Sequence, residues 1–145
     1  MLIQGARGAG KRSLARSLHA RSRRAAREFR VFSCRACSPL EVRRLFLGER
    51  HGDARGRQVR YQGLLEGIGE GTLYLDEVEQ LDFDMQRILA RVVAEGFFRP
   101  LGSATPVAFR GRLIFSTCSD TGSAFGETIH SELRAVIGSD AVARC

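Results

Sequence analysis

Lysine is almost missing from this chain: of its 23 Lys and Arg residues, all but Lys11 are arginine. Tryptophan is absent, and only three prolines and four cysteines occur. Those cysteines (Cys34, Cys37, Cys118 and Cys145) are too few to staple a secreted, disulfide-built fold. Cys34-Arg-Ala-Cys37 has no second Cys pair, so it lacks the four ligands of a structural zinc. No apolar run approaches the roughly 20 residues of a membrane span, and no signal-peptide pattern opens the chain. The expectation is a cytoplasmic protein with no membrane partner. What remains is globular: 145 residues, 43% of them hydrophobic, form one domain large enough for a real core.

The formal charge of +7 invites a nucleic-acid reading, because arginines bind phosphate backbones. Arg21, Arg23, Arg24, Arg27 and Arg30 lie close together after the first helical stretch. Arginine replaces lysine along the whole chain, however, so a solvated basic face explains the cluster without a ligand.

The one position that keeps lysine lies in Gly5-Ala-Arg-Gly-Ala-Gly10-Lys11. This G-x-x-x-x-G-K run follows the apolar Met1-Leu-Ile3 and precedes a helical pattern, the context required of a phosphate-cradling loop. Its glycines let backbone N–H groups turn around phosphate oxygens, and the next helix directs its positive end at the same anion. A lysine ammonium is a slim point charge that fits between phosphates, where a guanidinium is wide and planar. The candidate nucleotide-binding residues are Gly5, Ala6, Arg7, Gly8, Ala9, Gly10, Lys11, Arg12 and Ser13.

Along the chain, Met1 to Gln4 reads as a short buried strand. Lys11 to Ala20 carries a helical stripe of Leu14, Ala15 and Leu18. Phe29 to Cys34 is a second strand, and Ser38-Pro39 opens a second helix. Residues 48–60 are polar and glycine-dotted, the pattern of a surface loop. Residues 61–69 return through a short helix. Thr72 to Leu75 is a compact strand, and Met85, Ile88, Leu89, Val92 and Val93 define an amphipathic helix ending near Gly96. Phe97-Phe98 and Val107 to Phe109 predict a hairpin. Leu113 to Thr117 is read as the last buried strand, and residues 126–137 as weakly helical. Strands alternating with helices indicate a mainly parallel α/β sheet flanked by helices.

Asp76-Glu77 follows the Thr72–Leu75 strand at the carboxyl edge, where ligands bind in this fold class. Asp76 is the candidate for Mg2+, held mostly through its water shell. Glu77 is the candidate catalytic residue, polarising an attacking water.

The order of these pieces resembles the AAA+ domain of bacterial sigma-54-dependent transcription activators, nearly end to end. Leu2-Ile-Gln-Gly-Ala-Arg-Gly-Ala-Gly-Lys11 resembles the family's LIxGExGTGK, and Gly71-Thr-Leu-Tyr-Leu-Asp-Glu77 its GTLFLDE. Phe29-Arg-Val-Phe-Ser-Cys34 is similar to FxxVNC, and Leu45-Phe46 with Gly48 to ELFG. Gln86-Arg-Ile-Leu through Gly96-Phe-Phe-Arg99 and Gly102 is similar to QxxLLRVLQEGxFxRxG, and Arg112 to Thr117 to VRIIAATN. The resemblance implies a P-loop NTPase three-layer sandwich of AAA+ type over residues 1–145. The implied ligands are ATP or ADP with Mg2+, and sigma-54 RNA polymerase and further copies of the chain are the implied partners. Lid, receiver and DNA-binding domains lie outside this chain, so DNA contact and any response-regulator role would belong to them.

Departures from the family pattern bear on mechanism. The sigma-contacting GAFTGA loop matches Gly52-Asp-Ala-Arg-Gly-Arg57, with Ala54-Arg55 in place of the aromatic and threonine. The asparagine that restrains the glutamate falls at Ser33, and the sensor asparagine at Cys118. The two arginine-finger positions hold His130 and Val136, with Arg134 between them. Arg12 stands where most P-loops carry a hydroxyl for magnesium. The expected function is nucleotide binding with weak or no hydrolysis in a sigma-54-dependent regulator. The alternatives are an active ATPase that remodels sigma-54 polymerase, and an arginine-rich nucleic-acid-binding module with a vestigial loop.

Overall fold

The computed structural model describes residues 1–35, 38–52, 54–118, 127–139 and 142–144. Cys37, Cys145, Asp53 and residue 126, which entered the sequence expectations, lie outside them. Five parallel strands form the main sheet: β1 (Leu2–Gln4), β2 (Phe29–Ser33), β5 (Thr72–Asp76), β8 (Arg112–Thr117) and β9 (Val142–Arg144). Their spatial order is β2-β5-β8-β1-β9. The sheet therefore runs one strand beyond β8, which the sequence reading took as the last.

Burial alternates along β5 because successive side chains leave a strand on opposite faces. Leu73 and Leu75 join Leu113, Phe115 and Leu2 in the larger core, covered by α2 (Pro39–Leu47), α3 (Leu64–Gly67), α4 (Phe83–Glu95) and α5 (Ser131–Ser139). Tyr74 faces the other way, with Ile3 and Ile114, against Leu14, Ala15 and Leu18 of α1 (Lys11–Ala20). Both faces are covered, so the strands read as continuous apolar runs. His19 on α1 ties that layer down, its Nδ1 lying 2.8 Å from the Thr72 hydroxyl on β5. The architecture is a three-layer α/β sandwich.

The helix starts follow local chemistry. Ser38 and Glu41 form a reciprocal capping box, with Pro39 at the first helical position of α2. Asp82 caps α4 by accepting from the Met85 N–H at 2.8 Å, and Gly96 closes the helix with φ of 76°. The hairpin expected after Gly96 is present as β6 (Phe97–Phe98) against β7 (Val107–Ala108).

Residues 48–60, expected as a surface loop, contain two strands among the described residues. These are β3 (Glu49–Gly52) and β4 (Gln58–Tyr61), an antiparallel ribbon in the register Glu49↔Tyr61. Exposed strands of charged residues carry no apolar alternation, so sequence patterning missed them. The ribbon is anchored by charge instead: Arg50 and Arg60 share Glu66, and the Arg44 guanidinium lies 4.6 Å from the Tyr61 ring centroid. Its base needs glycine, since a Cβ at Gly48 would sit 2.3 Å from the Tyr61 carbonyl oxygen. Beyond the ribbon, residues 126–137 were expected to be helical, and among the described residues this helix is α5.

Candidate functional site

The loop between β1 and α1 turns through Gly8 and Gly10, with φ of 81° and 85°. No atom lies within 4 Å of a Cβ built at either, so left-handed backbone, not crowding, is what asks for glycine here. Gly10 is the residue before α1, and no side chain caps that helix. Its first turn holds no acidic residue, so the unpaired N–H groups and positive helix end face the loop open to an anion. Among the described residues, Arg7, Gly8, Gly10, Lys11, Arg12, Tyr74, Asp76, Glu77 and Cys118 line one cleft of about 280 Å³. The expected loop and the expected acidic strand end thus face each other.

Lys11 is buried, and its ammonium donates to the Gly5 and Ala6 carbonyls at 2.7 and 2.8 Å. The Cys118 sulfur lies 3.5 Å from the same nitrogen. A phosphate seated on the loop would exchange part of these contacts for stronger charge-assisted ones.

Ser116 on β8 organises the acidic pair. Its hydroxyl donates to Asp76 Oδ1 at 2.6 Å and accepts from the Glu77 N–H at 3.3 Å. The Tyr74 hydroxyl donates to the same Asp76 oxygen at 3.1 Å. Burial pushes the Tyr74 phenol well above its ordinary range; the Ser116 hydrogen bond opposes that rise, and the Asp76 charge adds to it. Glu77 has φ of 58°, the one positive value at a non-glycine among the described residues. Such a backbone costs on the order of 1–3 kcal/mol and is held by its surroundings, here Ser116 and the turn that returns Gln80 N–H to the Glu77 carbonyl.

The Glu77 carboxylate is buried and surrounded by donors. Oε2 pairs with Arg35, while Oε1 lies 3.6 Å from Arg7 Nε and 3.4 Å from the Cys118 thiol. The hydrogen bond to Glu77 raises the Arg35 guanidinium above its ordinary value. Cys118 also donates its N–H to Glu79 Oε1 at 2.9 Å, and Glu79 Oε2 is a buried oxygen with no hydrogen-bond partner among the described residues.

Neither Arg35 nor the Arg7–Glu77 pairing entered the sequence expectations. The structure supplies the link: β2 and β5 are parallel in the register Ser33↔Asp76, so the chain two residues past Ser33 emerges beside Glu77. Ser33 itself is exposed, and the side chain that reaches the glutamate is Arg35.

The residues that the resemblance sets at the two arginine-finger positions, His130 and Val136, are engaged within the chain. His130 Nδ1 accepts from the Glu132 N–H at 3.1 Å at the start of α5, and its ring stacks edge-on against Phe83. Val136 packs on the main core, and Arg134 is exposed. Of the clustered arginines, Arg24 donates to the Glu70 and Arg110 carbonyls, while Arg27 and Arg30 pair with Glu70 and Glu28. Ala54 and Arg55 lie at the exposed tip of the β3–β4 ribbon. No helix among the described residues is long and apolar enough to cross a membrane.

A glycine loop before an uncapped helix, opposite a strand-end acidic pair in a parallel sheet, defines the core of a P-loop NTPase. The model of the sigma-54 interaction domain matches residues 1–134, and the chain belongs to that family. It is 36% identical over 118 residues to the acetoin catabolism regulatory protein of Cupriavidus necator, covering 81% of this chain and 18% of that protein. It is 34% identical to the regulatory protein AtoC of Escherichia coli, covering 83% and 26%. NtrX from Brucella abortus, solved in complex with ATP, superposes with a TM-score of 0.82 at 27% identity, covering 99% of this chain and 30% of that one. Its complex with ADP gives a TM-score of 0.81 at 27% identity, covering 99% and 31%. The chain spans about a fifth to a quarter of the length of these curated relatives.

Proposed function

We propose that this domain binds ATP or ADP with the phosphates on residues 5–13, hydrolyses nucleotide slowly or not at all, and passes nucleotide state to a cytoplasmic sigma-54-dependent regulator. The observation that carries the reading is one cleft joining the uncapped start of α1, Lys11 and the Asp76–Glu77 pair. The donor set fits a polyphosphate, with backbone N–H groups and one ammonium on one wall and carboxylates opposite for a hydrated cation. NtrX, of the same fold, was solved with both nucleotides.

Asp76, oriented by the Ser116 and Tyr74 hydroxyls, would hold Mg2+, and the ion would supply charge that neutralises the phosphates. Glu77 is the base candidate, yet Arg35 holds one of the two oxygens it would turn toward water. His130 and Val136 supply no guanidinium for a neighbouring copy's site, and a trans arginine is worth about 10³–10⁵ in rate. At the ribbon tip, Ala54-Arg55 favours a polar contact over insertion into an apolar groove of sigma-54 polymerase.

Turnover measured over a range of protein concentrations tests the reading. Background phosphate release, independent of concentration and unchanged in Glu77→Gln, is expected. Turnover that climbs with concentration and vanishes in Glu77→Gln would establish the active ATPase instead.

A further inference from the structure

We propose that Arg7 distinguishes a nucleoside triphosphate from a diphosphate in this cleft, as a guanidinium supplied in cis to the terminal phosphate. The proposal rests on the nucleotide reading above. Arg7 sits at the apex of the loop, inside the turn closed by Ala9 N–H on the Ala6 carbonyl at 3.2 Å, so its side chain projects from the cradle. It lines the cleft together with Gly8, Lys11, Asp76 and Glu77. A phosphate chain seated on the first turn of α1 extends toward the acidic strand end, and Arg7 Nε already lies there, 3.6 Å from Glu77 Oε1.

The Arg7–Glu77 pair is a weak one. The Arg7 side chain is 71% exposed, and exposed ion pairs contribute little. A terminal phosphate offers about two negative charges and three acceptor oxygens, and guanidinium binds it bidentately. Moving Arg7 onto phosphate would ordinarily strand Glu77, whose side chain is only 10% exposed, as a buried unpaired charge. Arg35 prevents this by holding Oε2 independently. The two arginines therefore divide the work: Arg35 neutralises and positions Glu77, and Arg7 is released to read the phosphate. A diphosphate is one unit too short to reach it.

Dissociation constants for ATP and ADP, each with Mg2+, measured on wild type, Arg7→Ala, Arg7→Lys and Lys11→Ala, test the assignment. The wild type is expected to prefer ATP. Arg7→Ala weakens ATP by about tenfold or more, the scale of a charge-assisted hydrogen bond, and ADP by less than about threefold. Arg7→Lys recovers part of the preference, and Lys11→Ala weakens both nucleotides. Binding of both nucleotides by wild type with a ratio unmoved in Arg7→Ala would overturn this proposal alone. Binding of neither by the folded wild type would overturn the nucleotide reading itself.

Discussion

Tyr74 lies wholly buried beneath α1, its ring against Phe29 and its hydroxyl on Asp76. Burial holds the phenol protonated in the fold past the pH, about 10, at which it ionises in an unfolded chain. Above that pH the native state binds more protons than the unfolded state, so stability declines as pH rises. The contribution is intact below about pH 10 and is lost progressively above it. Urea denaturation at pH 9 and pH 11 checks this: Tyr74→Phe keeps the ring in the core and should lose less stability across that interval than wild type. An equal loss in both proteins would remove Tyr74 as the cause. At the same scale, the motif residues were legible because their chemistry is tied to spacing along the chain. Arg35 was not, because its partner Glu77 is reached only through the register of β2 on β5.

Elements with a buried face were legible, and those without one were not. The helix α4 carries its apolar stripe, its Asp82 cap and its Gly96 stop in the sequence itself. The β3–β4 ribbon has no such stripe and stands on Arg–Glu and Arg–Tyr contacts made across elements. The cap on α4 gives a test at this scale. Asp82→Ala removes the acceptor of the Met85 N–H and one partner of Arg43, which lies 3.3 Å away. A loss of about 1 kcal/mol is expected, seen as a melting point lower by about 3 °C. An unchanged melting point would show that α4 is fixed by its packing alone.

At the scale of the molecule, the sheet order β2-β5-β8-β1-β9 puts the carboxyl ends of β1, β5 and β8 side by side. That adjacency gathers Lys11, Asp76, Glu77 and Cys118 from distant parts of the sequence into one cleft. The parallel α/β class followed from alternating strand and helix signals. The outer strand β9 did not, because three residues of Val-Ala-Arg carry no pattern of their own. The fold is that of the sigma-54 interaction domain family. Calorimetric titration of ADP with Mg2+ onto wild type and Lys11→Ala measures the central claim most directly. One site per chain is expected on wild type, with binding greatly weakened in Lys11→Ala. A folded wild type that takes up no nucleotide, or a Lys11→Ala variant that binds as tightly, would contradict it.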